Sequence, residues 1–298
     1  MSTRRAGTHG LKEAQSGILW MLVSTLLFNL LNASIKALAL HYPVMELVWA
    51  RLVVNVVVLA LMFHRRLPAV LATPRPGAQL GRSLILFVIT VLIFTSLHLM
   101  PLADYTAIMF LAPIFTTALS MPLLGERVGR RRWAAVVVGF LGALVVVRPG
   151  LGVADAAALV PMAAAALLAL YYISTRWLSR TDSATTTLFY TPLVGAVAAS
   201  VAVPFVWVSP DALGALAMVG IGIVGMAAHF SLIKAFTAAP AATVAPFNYV
   251  NLIWATSLGF AVFGDLPDAG TLLGAAIIAL SGLYILRLET GRGGDARR

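Results

Sequence analysis

The residues of this chain that could do chemistry are asparagine, arginine, lysine, histidine and glutamate side chains set inside long apolar runs. In the first run Thr25, Asn29, Asn32 and Lys36 recur at a spacing that puts them on one narrow stripe of a helix. Glu46 and Arg51 follow beyond the next turn, and late in the chain Asn248, Tyr249, Asn251 and Trp254 come just after Pro246. A charge at the bilayer centre costs about 2.5 to 3.5 kcal/mol on insertion scales, so each such residue needs a partner or a watery cavity. What they offer is hydrogen bonding and charge pairing with a small solute, rather than bond making. The chain has no cysteine, which removes disulfides, thiolate metal sites and cysteine nucleophiles. The histidines are scattered without metal-ligand spacing, and neither His41 nor His64 has companions for hydrolysis. The expectation is a protein that is not an enzyme and carries no cofactor or metal. A membrane-embedded lipid enzyme is the remote alternative.

These side chains must be positioned by membrane helices. Of 298 residues 60% are hydrophobic and only 11% charged, and the mean hydropathy is +0.94, values that mark an integral membrane protein. A spanning helix takes about 20 apolar residues. Such runs are expected at Gly17–Leu40, Pro43–Phe63, Ser83–Met100, Asp104–Leu124, Trp133–Val147, Asp155–Thr175, Asp182–Trp207, Asp211–Phe236, Ala241–Phe263 and Gly270–Leu286. The first is too long and too polar for a cleaved signal peptide. Continuous apolar runs exclude a β-barrel, whose strands alternate. The fold class is therefore all-α, with ten transmembrane helices, and the Pro- and Arg-rich stretch His64–Arg82 is expected to be a linker.

The run from Pro101-Leu-Ala-Asp104 through Pro113 to Gly125-Glu126-Arg127 is echoed by Pro240 through Pro246 to Gly264-Asp265. Thr106 and Thr243, Phe110 and Phe247, and Gly125 and Gly264 match at nearly one offset. That indicates two homologous halves. The expected organisation is a segment 1–16, a first five-helix repeat 17–148, a second repeat 155–288 and a tail 289–298. The net charge of +10 comes from basic residues clustered between apolar runs, which suits topology-setting charge better than nucleic-acid binding. Placing most of the arginines in the cytoplasm puts both termini there and Asp104, Asp155, Asp211, Asp265 and Asp268 outside. Five spans per half then force the second half to enter from the opposite face, as an inverted repeat.

Pro43 and Arg51, Pro101-Leu-Ala-Asp104, Gly125-Glu126-Arg127 and Ala245-Pro246-Phe247-Asn248-Tyr249, taken in order, resemble EamA-type members of the drug/metabolite transporter superfamily. The resemblance covers about Gly17 to Leu288. It implies a bacterial inner-membrane carrier of small organic solutes, with some members exporting amino acids and others importing vitamins or cofactors. Asp265 stands where the family usually has glutamate. The leading reading is alternating-access export of aromatic or neutral amino acids, by facilitated or exchange transport rather than ion coupling. The alternative is uptake of a vitamin or a nucleoside-like cofactor. The expected partners are a small-molecule substrate and the lipid bilayer, and the chain is read as a monomer or homodimer.

Individual roles follow from depth and helical phase. Lys36 and Glu46 sit at similar depth across a short turn, which predicts an ion pair; snorkelling of Lys36 is the competing reading. Arg51, on the face of Asn55, could meet a substrate carboxylate or lock helices through carbonyls. Pro113 and Pro246 are expected to kink the fourth and ninth spans and free carbonyls toward a central pocket. Tyr105 and Met109 share the first kinked face. His98, Tyr171, Tyr172 and His229 could add aromatic and hydrogen-bonding surface, against helix packing or an interfacial belt. Glu126 and Asp265 are expected at equivalent turns. Ala135-Gly139-Ala143, Gly274 and Gly282 allow close helix approach and are read as packing, with a dimer face as the alternative.

Overall fold

The computed structural model describes residues 3–124, 130–147, 154–178, 181–239 and 244–295. Every regular element among them is helical. In order these are α1 Thr3–Leu38, α2 Val44–Phe63, α3 Leu67–Leu71, α4 Pro76–Leu99, α5 Leu102–Met109, α6 Leu111–Leu124, α7 Arg130–Val147, α8 Ala154–Leu178, α9 Ala184–Ala202, α10 Ala212–Ala238, α11 Asn251–Leu258 and α12 Ala269–Asp295. Six stretches are long and apolar enough to cross a bilayer: Gln15–Leu38, Val44–Leu71, Pro76–Leu99, Ala157–Thr175, Thr185–Phe205 and Ala212–Ala238. Four shorter apolar helices occupy Leu102–Thr116, Trp133–Val146, Phe247–Phe263 and Ala269–Tyr284. Each expected run thus meets helix, though only six reach spanning length among the described residues.

Local chemistry explains the boundaries. α10 starts where Asp211 accepts the Gly214 N–H at 2.7 Å, and α12 where Asp268 accepts that of Thr271 at 2.8 Å. Both cap the free donors of a first turn. The expected fourth span is broken between α5 and α6 at Phe110. Pro113 has no N–H for the Met109 carbonyl four residues back, and its ring crowds that carbonyl. The expected ninth span is not a kinked α-helix. Ala245–Val250 is 3₁₀, α11 is α, and Gly259–Phe263 is π before Gly264 turns the chain at φ 73°. Pro246 opens that 3₁₀ segment.

One boundary moves. The stretch His64–Arg82 is not a linker throughout, because α4 starts at Pro76, whose fixed φ suits a first helical position. Arg82 consequently lies inside α4 and is 4% exposed.

The helices pack in related pairs. α1 lies along α10 and α4 along α8; α2 faces α9 and α7 faces α12. Going round, α1 touches α10, α10 touches α2, α2 touches α4, α4 touches α5, α5 touches α11, and α11 touches α1. These contacts form a closed cycle, or ring, of six helices, with α1 also packing on α4 across it. Large apolar side chains such as Leu61, Val201 and Leu280 point away from the packed body, as lipid-facing residues do.

The small residues work within the chain. Side chains added at Gly139 and Gly274 would strike Ile114 and the backbone of α7 respectively, and one at Gly282 would strike the Tyr249 hydroxyl. Ala135 and Ala143 are buried beside them. These positions serve the crossing of α12 over α7 and over the segment before α11, so they are not free for a dimer face.

Candidate functional site

The polar stripe of α1 points into the ring. Thr25 and Asn29 are 1% exposed, and the Asn29 Nδ2 donates to the Thr25 carbonyl at 2.9 Å and to Asn251 Oδ1 at 2.7 Å. Asn251 in turn donates from Nδ2 to the Asn248 carbonyl at 2.8 Å and to Asn248 Oδ1 at 3.0 Å. The orientation of the chain of amides is forced. A main-chain carbonyl only accepts, so Asn251 must present its amino group to Asn248 and its oxygen to Asn29. Asn29 then has its amino group fully used and its Oδ1 buried with no partner.

Six further buried atoms are left in the same condition: Glu46 Oε1, Arg51 Nε and Asn55 Oδ1 on α2, Gln79 Oε1 and Ser83 Oγ on α4, and Trp254 Nε1 on α11. A buried polar atom without a hydrogen bond costs about 1 to 3 kcal/mol. With Asn29 Oδ1, the atoms of Arg51, Asn55 and Trp254 make two acceptors and two donors on the expected substrate residues and their neighbours. The Arg51 guanidinium stands 5.6 Å from the Phe94 ring centre and within electrostatic reach of Tyr105 and His229. No hydrogen bond from it to a carbonyl is found among the described residues.

Aromatic surface completes the set. Tyr105 is buried and interacts electrostatically with Tyr172. His229 packs edge-on to Phe28 with ring centres 4.9 Å apart. Tyr172 and His229 are exposed at the surface of the packed helices. Met109 is half-buried on α5, and Asn32 is half-buried on α1.

Other expected residues go elsewhere. Lys36 does not pair with Glu46; its Nζ lies 2.6 Å from Asp265 Oδ2, 3.3 Å from the Met100 carbonyl and 4.7 Å from the Phe263 ring centre. Glu46 is fully buried and accepts the Val208 N–H at 3.1 Å. Equal depth set the two side by side, but helical phase turned them to different neighbours. His98 is exposed in the last turn of α4 and is not drawn to the polar set. Tyr249 points its hydroxyl at Gly282 and packs its ring on Phe110, 5.0 Å between centres. Glu126 and the side chain of Pro246 lie outside the described residues.

Two sets of ties flank the ring. At the end bearing Lys36, Tyr42 donates to Asp211 at 3.2 Å, Thr271 donates to Asp104 at 2.7 Å, and Trp49 donates to Ser200 at 2.9 Å. At the other end Arg82 donates to Thr175 at 2.7 Å and Thr191 at 2.9 Å, and also bonds Tyr171. Beside it Gln79 donates to Asp182 at 2.8 Å and Thr187 at 3.0 Å, and Thr73 donates to Asp182 at 2.9 Å. This second network was missed in the sequence. Its signal is Arg82 two turns into a Pro-started helix, facing hydroxyls at Thr187 and Thr191 one turn apart. Tyr171 belongs to it.

A cavity of about 120 Å³ beside Pro101, Asp104, Val146 and Ala158 is lined by none of the expected substrate residues. Among the described residues no group of histidine and acidic side chains is placed to hold a metal.

The family model of the EamA-like transporters matches this chain twice, over residues 15–148 and 156–287. The chain belongs to that family. It is a multi-pass membrane protein, and its relatives are small-molecule transporters. An S-adenosylmethionine uptake transporter of Rickettsia prowazekii is 27% identical over 94% of this chain and 95% of its own length. A riboflavin transporter of Rhizobium johnstonii is 31% identical, with 94% of each chain covered. A pseudopaline exporter of Pseudomonas aeruginosa is 27% identical over 93% of this chain and 98% of its own. These names favour the cofactor reading over amino-acid export.

Proposed function

We propose that this family member is an inner-membrane carrier that takes up a vitamin or nucleoside-like cofactor by alternating access. The observation that carries the reading is the set of partnerless buried atoms of Asn29, Arg51, Asn55 and Trp254 beside Phe94, Tyr105 and Tyr172. Hydrogen-bonding atoms next to aromatic faces suit a flat heterocycle with a polar edge. An amino acid would want a carboxylate for its ammonium group; Asp265 is engaged by Lys36, and Glu46 spends Oε2 on the Val208 N–H, leaving only Oε1. Full-length similarity to two cofactor-related carriers supports the same class.

Alternating access draws support from the packing. Exchanging the first five runs with the last five carries the α1–α10 pair onto α8–α4, and leaves α2–α9 and α7–α12 in place. Inverted repeats of this kind rock about a site near the midplane. With ten spans, repeats over 17–148 and 155–288, and both termini cytoplasmic, the end tied by Lys36 is the outer one. Lys36, Asp265, Glu46 and, at the equivalent inner turn, Glu126 are read as gating positions, with Pro113 and Pro246 as hinges. The substrate surface is assigned to Asn29, Asn32, Arg51, Tyr105, Met109, Tyr172, His229, Asn248, Asn251 and Trp254.

The test is uptake of labelled riboflavin, S-adenosylmethionine and tryptophan into liposomes holding the purified protein, with and without a pH gradient. Saturable uptake of a cofactor but not of tryptophan is expected. Tryptophan alone being carried would return the amino-acid reading, and dependence on the gradient would show proton coupling.

A further inference from the structure

Resting on the cofactor reading, we infer that the site recognises a heterocycle through an edge N–H, and that Asn29 Oδ1 is the atom that receives it. Asn29 has no freedom to do otherwise. Its Nδ2 is committed to the Thr25 carbonyl and to Asn251 Oδ1, and Asn251 is held in turn by the Asn248 carbonyl. Flipping the Asn29 amide would face its oxygen toward two acceptors, so Oδ1 stays an acceptor and stays free.

Trp254 Nε1, also buried without a partner, can only donate. Placement supports one shared space. Trp254 is one helical turn from Asn251, which touches Asn29. Thus one ligand edge can meet the Asn29 acceptor and the Trp254 donor together. The edge that fits is an N–H with an acceptor beside it, as in an imide such as the pyrimidine-dione ring of a flavin. An edge of acceptors alone leaves Asn29 unpaired, and that loss discriminates more strongly than a lost apolar contact.

The experiment compares riboflavin with N3-methylriboflavin, in which the imide donor is blocked, in competition for uptake by proteoliposomes. Wild type is expected to lose on the order of tenfold in apparent affinity on methylation, the size of one buried hydrogen bond. Asn29→Ala is expected to bring riboflavin down to the level of the methylated compound, with no further loss on methylation. Trp254→Phe, which keeps the ring and removes its N–H, is expected to weaken both flavins alike. Equal competition by the two flavins in wild type overturns the inference while leaving the carrier reading intact, and that arm needs no variant to fold. Failure of both riboflavin and S-adenosylmethionine to be carried overturns the reading and the inference together.

Discussion

Lys36 Nζ lies 2.6 Å from Asp265 Oδ2, tying the end of α1 to the turn before α12. The two side chains are 15% and 33% exposed, so the pair is worth about 1 kcal/mol or less. A tie of that size biases an equilibrium without freezing it. Asp265→Asn is expected to raise the rate at which an impermeant maleimide labels a cysteine at Met109 from the outer face, by up to roughly fivefold. High salt should do the same in wild type. An unchanged rate in both would show that this pair does not hold the outer end closed.

Arg82 is buried among hydroxyls, with no carboxylate within ion-pair distance among the described residues. Removing one partner of a buried charge strands it, whereas removing the charge itself relieves the strain. Thr191→Val is therefore expected to destabilise by about 1 to 3 kcal/mol, and Arg82→Met by less. Thermal unfolding in detergent decides the order, and the reverse order would identify Arg82 as a net stabiliser.

Tyr42 lies in the turn between α1 and α2. Loss of hydration and its hydrogen bond to Asp211 raise the phenol above its ordinary value. A phenol raised in the folded state contributes stability below its unfolded pKa, and that contribution disappears as pH rises through the folded value. The melting temperature should fall more steeply above about pH 10 in wild type than in Tyr42→Phe. Parallel curves would mean that the tie carries no stability.

Gly274 meets the backbone of α7 at Gly142 and Val146, whereas Gly220 on α10 has open space beside it. Gly220→Ala is expected to stabilise by about 0.5 to 1 kcal/mol through helix propensity. Gly274→Leu should prevent folded protein from accumulating. Size-exclusion profiles of the two variants check both.

Cysteines placed at Arg66 and Leu266, both exposed, should react with impermeant reagent from opposite faces of the membrane. Labelling from one face would end the inverted-repeat arrangement.

Much of this site was legible in the sequence. Thr25, Asn29 and Asn32 stood out because a 3.6-residue period is local, and burial of the first two confirms which face turns inward. Arg51 and Trp254 stood out because polar atoms in apolar runs need a reason. The partners were harder to read. Lys36 chose Asp265 over Glu46 through azimuth, which depends on how three helices meet far apart in sequence. Arg82 was misplaced because Pro76, Gly77 and Gly81 read as linker when they in fact begin a helix. Tyr249 was drawn away by Gly282, whose missing side chain matters only once α12 lies against it.

The changes of pitch along Ala245–Phe263 give that segment an adjustable length. Six residues of 3₁₀ helix rise about 2.0 Å each, against 1.5 Å in α-helix. Rewinding Ala245–Val250 alone would shorten the segment by about 3 Å. Since Asn248 sits within that stretch and Asp265 beyond its far end, such rewinding would change the spacing between the amide chain and the Lys36–Asp265 pair, as the turning of a short screw does.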